Sequence, residues 1–399
     1  MINLYKIVEE CVANVVKLTE EKNSFAEICS KTINVVHNLG VEVLQYVCQK
    51  IDDDFAEKHK KEVLVRHRQK TRHILTEMGE FVLKRRLYQY KSSGKYFFAI
   101  DKLLQMEKYA HIEAGFKGKI LEQAVTSSYG KASHYAAHDN ISRQTVFNIV
   151  KGIKNIPSIV DDEKIQKQVS ELFIEADEDH IHLNDGKSCE VKMVYVHEGV
   201  NCQNNRKSLI NPHYFTYVNS NVDDFWSDIY GYVENNYSAQ KLHFASDGGS
   251  WIKNGLTVFP KAIRHMDKFH IFKAVKILAG GDIELQKDIL EAINEKSMEK
   301  LNILFKQKLQ TITKTAERKL FFVYMTYILN NLSDIDLYGV PCSAEGHISH
   351  ILSARMSSRP MGWSKDGADR IAKLRAYMYN GGDFQKLVLL NMQNNCTIK

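Results

Sequence analysis

Three carboxylate-bearing stretches lie far apart in this chain: FIEADEDHIHL at 173–183, SDGG at 246–249 and SAEGH at 343–347. In the first, Phe173 and Ile174 open onto Glu175, Asp177, Glu178 and Asp179 before Ile181 and Leu183 turn apolar again. Read as a strand, alternate side chains share a face, so Glu175, Asp177 and Asp179 stand together with Phe173 and Ile181. Carboxylates on a core strand are costly unless paired, hydrogen-bonded or bound to a cation. The plainer alternative is an edge strand with a solvated acidic end. Asp247 ends a second short strand, KLHFAS, with Gly248 and Gly249 loosening the turn. Glu345 falls in the first turn of a helix that Ser343 can cap. Two aspartates at strand ends and a glutamate on a late helix make an oxygen-only site, which suits magnesium or manganese rather than zinc. Two such ions can activate a water or a 3′-hydroxyl and stabilise the leaving oxygen of an in-line phosphodiester displacement. The spacings are 70 residues from Asp177 to Asp247 and 98 from Asp247 to Glu345. Asp179 is the alternate first acid. Asp177 is preferred because it lies nearer the apolar start of the strand, where packing anchors it better.

The elements that would position these groups follow from periodicity. Residues 1–57 read as helical: Ile7, Val8, Cys11, Val12, Val15 and Val16 recur at helical spacing, and Asn23 or Ser24 can cap a second helix through Val47. These rows are most simply packing faces, with a dimerising helix pair as the lesser reading. Residues 58–104 hold a basic β-hairpin in which GEFVLKRRLYQY and KYFFAI flank the turn KSSG. Twelve Lys or Arg stand against three Glu between residues 58 and 95. Arg85 and Arg86 alternate there with Tyr88 and Tyr90, a mixture suited to a phosphate backbone or to a solvated surface. Residues 105–160 read as a helix-turn-helix region. Leu121, Ala124, Val125 and Tyr129 form an apolar stripe, and Ser133 to His138 make a short helix. After a turn at Asp139-Asn140, Ser142 caps a helix whose first turn carries Arg143, Gln144 and Thr145, side chains able to read base edges. Many helical hairpins of this kind bind nothing. Pro157 and the run Asp161–Lys164 read as a linker.

From 161 to 399 strands and helices alternate. Strands at 173–183, 190–197 and 214–218 form an antiparallel meander. A capped helix over VDDFWSDIYGYVENNY follows, then the strand ending in Asp247, a short helix, and a fifth strand over KAIRHMDKFH ending near Asp267 and His270. Three strands followed by alternating helix and strand is the order of the ribonuclease H-like fold, in which the first and fourth strands are neighbours, so Asp177 and Asp247 would meet. Residues 271–335 read as an all-helical insertion. A Ser-rich basic segment with Arg355, Arg359 and Lys365 follows Glu345; its basic groups could hold phosphates. His347 and His350 read as core or surface histidines rather than ligands. The fold class is therefore multidomain α+β: a helical N-terminal region with β-hairpin and helix-turn-helix, then an α/β ribonuclease H-like core.

Composition fits this reading. The 399 residues are 44% apolar and 26% charged, with a net charge of +6, as in an ordinary soluble globular protein. Seven cysteines without a CxxC pair point to idle thiols in a reducing cytosol. No apolar run approaches the ~20 residues that span a bilayer, and the expected location is the cytoplasm.

The motifs FIEADEDHIHL, EVKMVYVHEG, SDGGSWI, DKFHIFK, AEGHISHILSARMSSRPMGWSKDGADRIAKLRAY and NGGD together resemble the ISLre-type bacterial insertion-sequence transposases of the DDE superfamily, over a span from the basic hairpin to Asp383. The SSRPMGWS segment is the most specific of them. The resemblance implies a DNA transposase. In such an enzyme Asp177, Asp247 and Glu345 would bind two magnesium or manganese ions, cut transposon ends and join them to target DNA. It also implies double-stranded DNA as partner and a homo-oligomer when assembled on it. A repurposed, inactive DNA-binding relative and a ribonuclease H-like nuclease that cuts without joining are the alternatives. The tail FQKLVLLNMQNNCTIK lacks the basic helical character expected after this motif, as a shortened copy would.

Overall fold

The computed structural model describes residues 4–21, 23–137, 140–158, 166–203, 206–218, 221–338 and 344–397. The linker run Asp161–Lys164, Asp139 of the turn, and Ser343 fall outside them. The chain is a mixed α and β protein built as two compact units, one of residues 1–124, 128–153 and 383–399, the other of 125–127 and 154–382. No helix among the described residues is long and apolar enough to cross a membrane.

The first unit opens with two helices, α1 (Leu4–Glu20) and α2 (Phe25–Lys58). Ser24 and Glu27 form a reciprocal capping box that fixes where α2 begins. Three antiparallel strands follow: β1 (Val63–Thr76), β2 (Gly79–Tyr90) and β3 (Tyr96–Phe98). The β2–β3 hairpin over KSSG is present, with Leu87 opposite Phe98. The longer hairpin, β1–β2, was not anticipated: its basic density hid its alternation. Helix α2 packs on this sheet through Cys48, Ile74, Phe81 and Leu83. After α3 (Ala99–Leu103) come α4 (Ala114–Thr126), α5 (Tyr129–Ala137) and α6 (Arg143–Gly152). Helix α5 thus begins four residues before the expected start at Ser133. Ser142 caps α6 by accepting from the Thr145 amide at 3.1 Å, and Val146 and Val150 are buried. The tail 384–397 is helical and belongs to this unit, with Phe384, Leu387 and Val388 buried.

The second unit is built on a five-stranded sheet. Strand β4 (Lys167–His182) pairs antiparallel with β5 (Ser188–His197), which pairs antiparallel with β8 (His213–Tyr217); β6 (Val200–Gln203) and β7 (Arg206–Leu209) form a separate ribbon. Helix α7 (Val222–Asn236) leads to β9 (Tyr237–Ser246), parallel to β4, and α8 (Ser250–Val258) leads to β10 (Ile263–Met266), parallel to β9. The spatial order is β10-β9-β4-β5-β8. One face of the sheet, with Leu172, Ile174, Ala176, Val194 and Val196, buries itself against Trp226 and Ile229 of α7 and Ile252 of α8. The expected fifth strand is shorter than KAIRHMDKFH. It stops at Met266, because Asp267 turns the chain by capping the next helix, accepting from the Phe269 amide at 3.0 Å.

Four helices, α9 (Lys268–Ala279), α10 (Ile283–Asn294), α11 (Met298–Thr311) and α12 (Thr315–Asn330), form the helical segment around their own core of Ile271, Leu278, Ile293, Leu301 and Phe321. Then α13 (Ala344–Ile348), a π-type turn (Ser349–Ser353) and α14 (Ala354–Met356) run end to end, followed by α15 (Lys365–Tyr379). Helix α13 packs against β4, and α15 against β8, so the face of the sheet that carries the carboxylates is covered in part by helix.

Candidate metal and nucleic-acid site

Register brings Asp177 and Asp247 together. The last paired rung between β4 and β9 is Ala176 with Ser246, so the next residue on each parallel strand is an aspartate. Asp177 is buried and accepts from the Glu178 amide at 2.8 Å. Asp247 is half-buried and accepts from the Gly249 amide at 2.9 Å. That short loop depends on Gly248, whose φ of +87° lies in the left-handed region and whose missing Cβ leaves room for Met266.

His270 completes the group. The Asp267 carboxylate that caps α9 also holds His270 Nδ1 at 2.8 Å. This bond lifts the imidazole above its ordinary pKa against the pull of burial, with the charges of Asp267, Asp177 and Asp247 adding to it. The Tyr327 hydroxyl of α12 is buried and lifted strongly, first by burial and then by Asp247 and Asp267. Asp177 and Asp247 thus both act on His270.

The other acids of β4 have different duties. Asp179 lies two residues beyond Asp177 and accepts from the Ser357 hydroxyl at 2.8 Å; burial raises its pKa. Glu178 faces α8, where the Trp251 indole donates to it. Glu175 is 1% exposed, accepts from the Tyr195 hydroxyl at 2.6 Å and meets His197 Nε2 at 3.0 Å. His347 of α13 sits over Tyr195 and bonds Tyr214 at 3.1 Å, a core histidine as the sequence suggested. Glu345 lies two residues earlier in α13; its side chain is outside what the structure describes.

The donors fit a hard cation: Asp177 and Asp247 offer oxygen only, and their fields converge on one histidine. Among the described residues no group of three or more His, Cys, Asp or Glu stands close enough to hold an ion, so the described part of the site is a pair of carboxylates.

The basic residues divide. Arg143 and Gln144 are exposed and Thr145 half-exposed at the start of α6. Arg359 and Lys365 are exposed as well. Arg85 is not free for phosphate: it pairs with Asp101 and stacks on Phe98 at 4.3 Å. Arg86 pairs with Asp53 and lies 3.9 Å from Asp52. Arg355 is buried over the Trp363 ring at 5.0 Å. In each of the three, sequence shows a charge but not the carboxylate or ring that tertiary folding sets against it. The SSRPMGWS segment is instead a buckle. Trp363 bridges to the end of β4, its amide donating to His182 at 3.0 Å and its carbonyl accepting from Asn184 at 2.9 Å.

Asp177 and Asp247 thus follow the last shared rung of two adjacent parallel strands in a mixed sheet. Residues 18–393 match the uncharacterised protein family UPF0236, and the chain belongs to that family. It is 33% identical to UPF0236 proteins of Caldanaerobacter subterraneus subsp. tengcongensis. One covers 96% of this chain and 85% of its own length. Another, equally similar over 393 residues, has a name that joins eleven locus labels. A UPF0236 protein in the vanSb 3′ region of Streptococcus gallolyticus is 22% identical over 395 residues, covering 93% of this chain and 86% of its own. Among solved structures, a chain of a simian T-cell lymphotropic virus intasome in complex with PP2A regulatory subunit B56 gamma covers 59% of this chain and 80% of its own. The match has 10% identity and a TM-score of 0.17, and nothing is drawn from it.

Proposed function

We propose that this protein is a DNA transposase of an insertion sequence, acting by metal-dependent phosphodiester cleavage and strand transfer. The observation that carries the reading is the register of β4 and β9, which makes Asp177 and Asp247 neighbours. The strand order β10-β9-β4-β5-β8, with only β9 and β10 parallel to the first strand, supports a ribonuclease H-like core. The four-helix segment between β10 and α13 supports the expected insertion. The eleven loci joined in one relative's name agree with a multicopy element.

On this reading Asp177 and Asp247, with Glu345 from α13, hold magnesium or manganese. Bound there, two ions would supply Lewis-acid activation of a water or 3′-hydroxyl and stabilise the leaving oxygen. The chain's own part is to fix the carboxylates: the Glu178 amide orients Asp177, the Gly249 amide orients Asp247, and packing of α13 on β4 sets the height of Glu345. His270, bonded to Asp267 and with its pKa raised, lies in the field of both carboxylates. Arg143, Gln144, Arg359 and Lys365 are the exposed groups that would meet DNA.

The test uses the full chain with magnesium and a plasmid carrying the DNA that flanks its open reading frame, where inverted repeats and a short target duplication are expected. Wild-type protein should nick at the element ends. Asp247→Asn should lose cleavage by at least about 100-fold, as loss of a required charge stabiliser does, while binding the same DNA. Wild-type cleavage rates in the variant would remove Asp247 from the site. Cleavage without joining would leave a nuclease of the same core.

A further inference from the structure

Helices α1 and α2 contain more apolar surface than they bury. The connection between them, residues 21–24, is short, and the two pack together, which makes an antiparallel hairpin. In α1 the row Ile7, Cys11, Val15 and Leu18 is buried or half-buried; in α2 the matching row is Ile28, Thr32, Val35 and Leu39. A second apolar row runs along each helix and stays in solvent. In α1 it is Val8, Val12 and Val16, at 46%, 58% and 49% exposure. In α2 it is Ile33 and Val36, at 57% and 51%.

These second rows share one side of the hairpin. At 3.6 residues per turn, each lies roughly a quarter-turn onward, in the direction of increasing residue number, from the row that joins the two helices. The helices run in opposite directions, so equal rotations in that sense turn both rows to the same side. The result is one apolar face two helices wide.

We infer that this face joins two copies of the chain, hairpin to hairpin, in a four-helix bundle. A two-fold axis through the face sets each exposed row against the same surface of the partner, as an isologous interface requires. With Leu4 and Phe25, at 41% and 81% exposure, the face offers on the order of 600 Å², the lower end of what a stable interface buries on each side. The charge around it argues against other classes of partner. Between Leu4 and Lys58 there are ten Asp or Glu against six Lys, a poor surface for nucleic acid or an anionic bilayer. The inference stands whether or not the protein is a transposase, because it uses none of the carboxylates of the second unit.

The test is sedimentation equilibrium of the full chain, without DNA, from about 1 to 50 μM, a range bracketing a Kd of micromolar order. A dimer is expected. Val12→Glu with Val36→Glu should raise the dissociation constant at least tenfold while leaving the circular dichroism spectrum unchanged, since both side chains are exposed. Val12→Leu with Val36→Leu should keep the dimer. Val12→Ser with Val36→Ser repeats the test should the Glu pair disturb folding. A monomeric wild type across the range, or a folded Glu or Ser variant that dimerises like wild type, overturns the inference.

Discussion

At the scale of single residues, Glu175 and Asp177 occupy the same face of one strand and have opposite duties. Glu175 is sealed between Tyr195 and His197, so its value is structural. Replacing it by Ala leaves a buried histidine and phenol without their acceptor, which costs about 3–5 kcal/mol. Asp177→Asn keeps the oxygen that accepts from the Glu178 amide and should leave the melting temperature nearly unchanged while removing cleavage. Denaturant melts paired with the nicking assay separate the two; equal destabilisation by both would mean that Asp177 is also a packing residue. Asp179→Ala loses the contact with the Ser357 hydroxyl and should reduce cleavage in part. The His270 imidazole gives a pH signature. Its folded pKa is raised, so the stability it contributes is complete below its unfolded value of about 6.5 and is lost as pH rises through the folded value. Asp267→Asn removes the largest cause of that shift. The midpoint of the His270 ring resonances in an NMR titration should then fall; an unmoved midpoint would mean that the Asp267 contact does not set it.

At the scale of elements, the basic hairpin is where sequence and structure part most. The strands around Asp177 and Asp247 were legible because apolar runs bounded by turn residues need nothing beyond local pattern. The first residues of β4, KQVSE, were not, since a polar strand start looks like a loop until β9 is beside it. Asp267 reads as part of a strand over KAIRHMDKFH, and only the cap it makes reveals a helix. Arg85 and Arg86 read as phosphate ligands because their partners lie elsewhere: Asp101 is 16 residues on, and Asp53 belongs to α2. Among the described residues of the hairpin, Lys70 and Lys84 are exposed. Arg85→Ala should therefore destabilise the first unit by about 1–3 kcal/mol, the worth of a charge-assisted hydrogen bond, and leave the salt dependence of DNA binding alone. Lys70→Ala with Lys84→Ala should do the reverse, flattening the slope of log affinity against log salt by about two. A flattened slope in the Arg85 variant would return that guanidinium to the DNA.

At the scale of the whole molecule, the chain leaves the first unit near residue 153, builds the sheet and its helices, and comes back at Asp383. The return is made by the helix 384–397, whose composition gave little warning of it: one lysine, no acids and a weak apolar row. What holds it is a close approach at Gly118 of α4. A Cβ there would lie 2.9 Å from both the Cα and the amide nitrogen of Gln385, closer than real side chains come, and backbone cannot swing aside as a side-chain tip can. The missing methyl lets the helix dock. Gly118→Ala should push it outward and expose Phe384, Leu387 and Val388, which are now buried. Gly118 would gain helix propensity worth about 1 kcal/mol, but overpacking costs about 1–3 kcal/mol or more, and the loss of three buried apolar side chains adds to that. Scanning calorimetry should show the first unit's transition moving to lower temperature while the second unit's stays in place. Cleavage by the isolated chemistry of the second unit would persist at temperatures where DNA binding by α6 has already failed. A single transition that shifts as a whole would mean the two units melt as one body, and an unshifted thermogram would mean that Gln385 yields to the methyl.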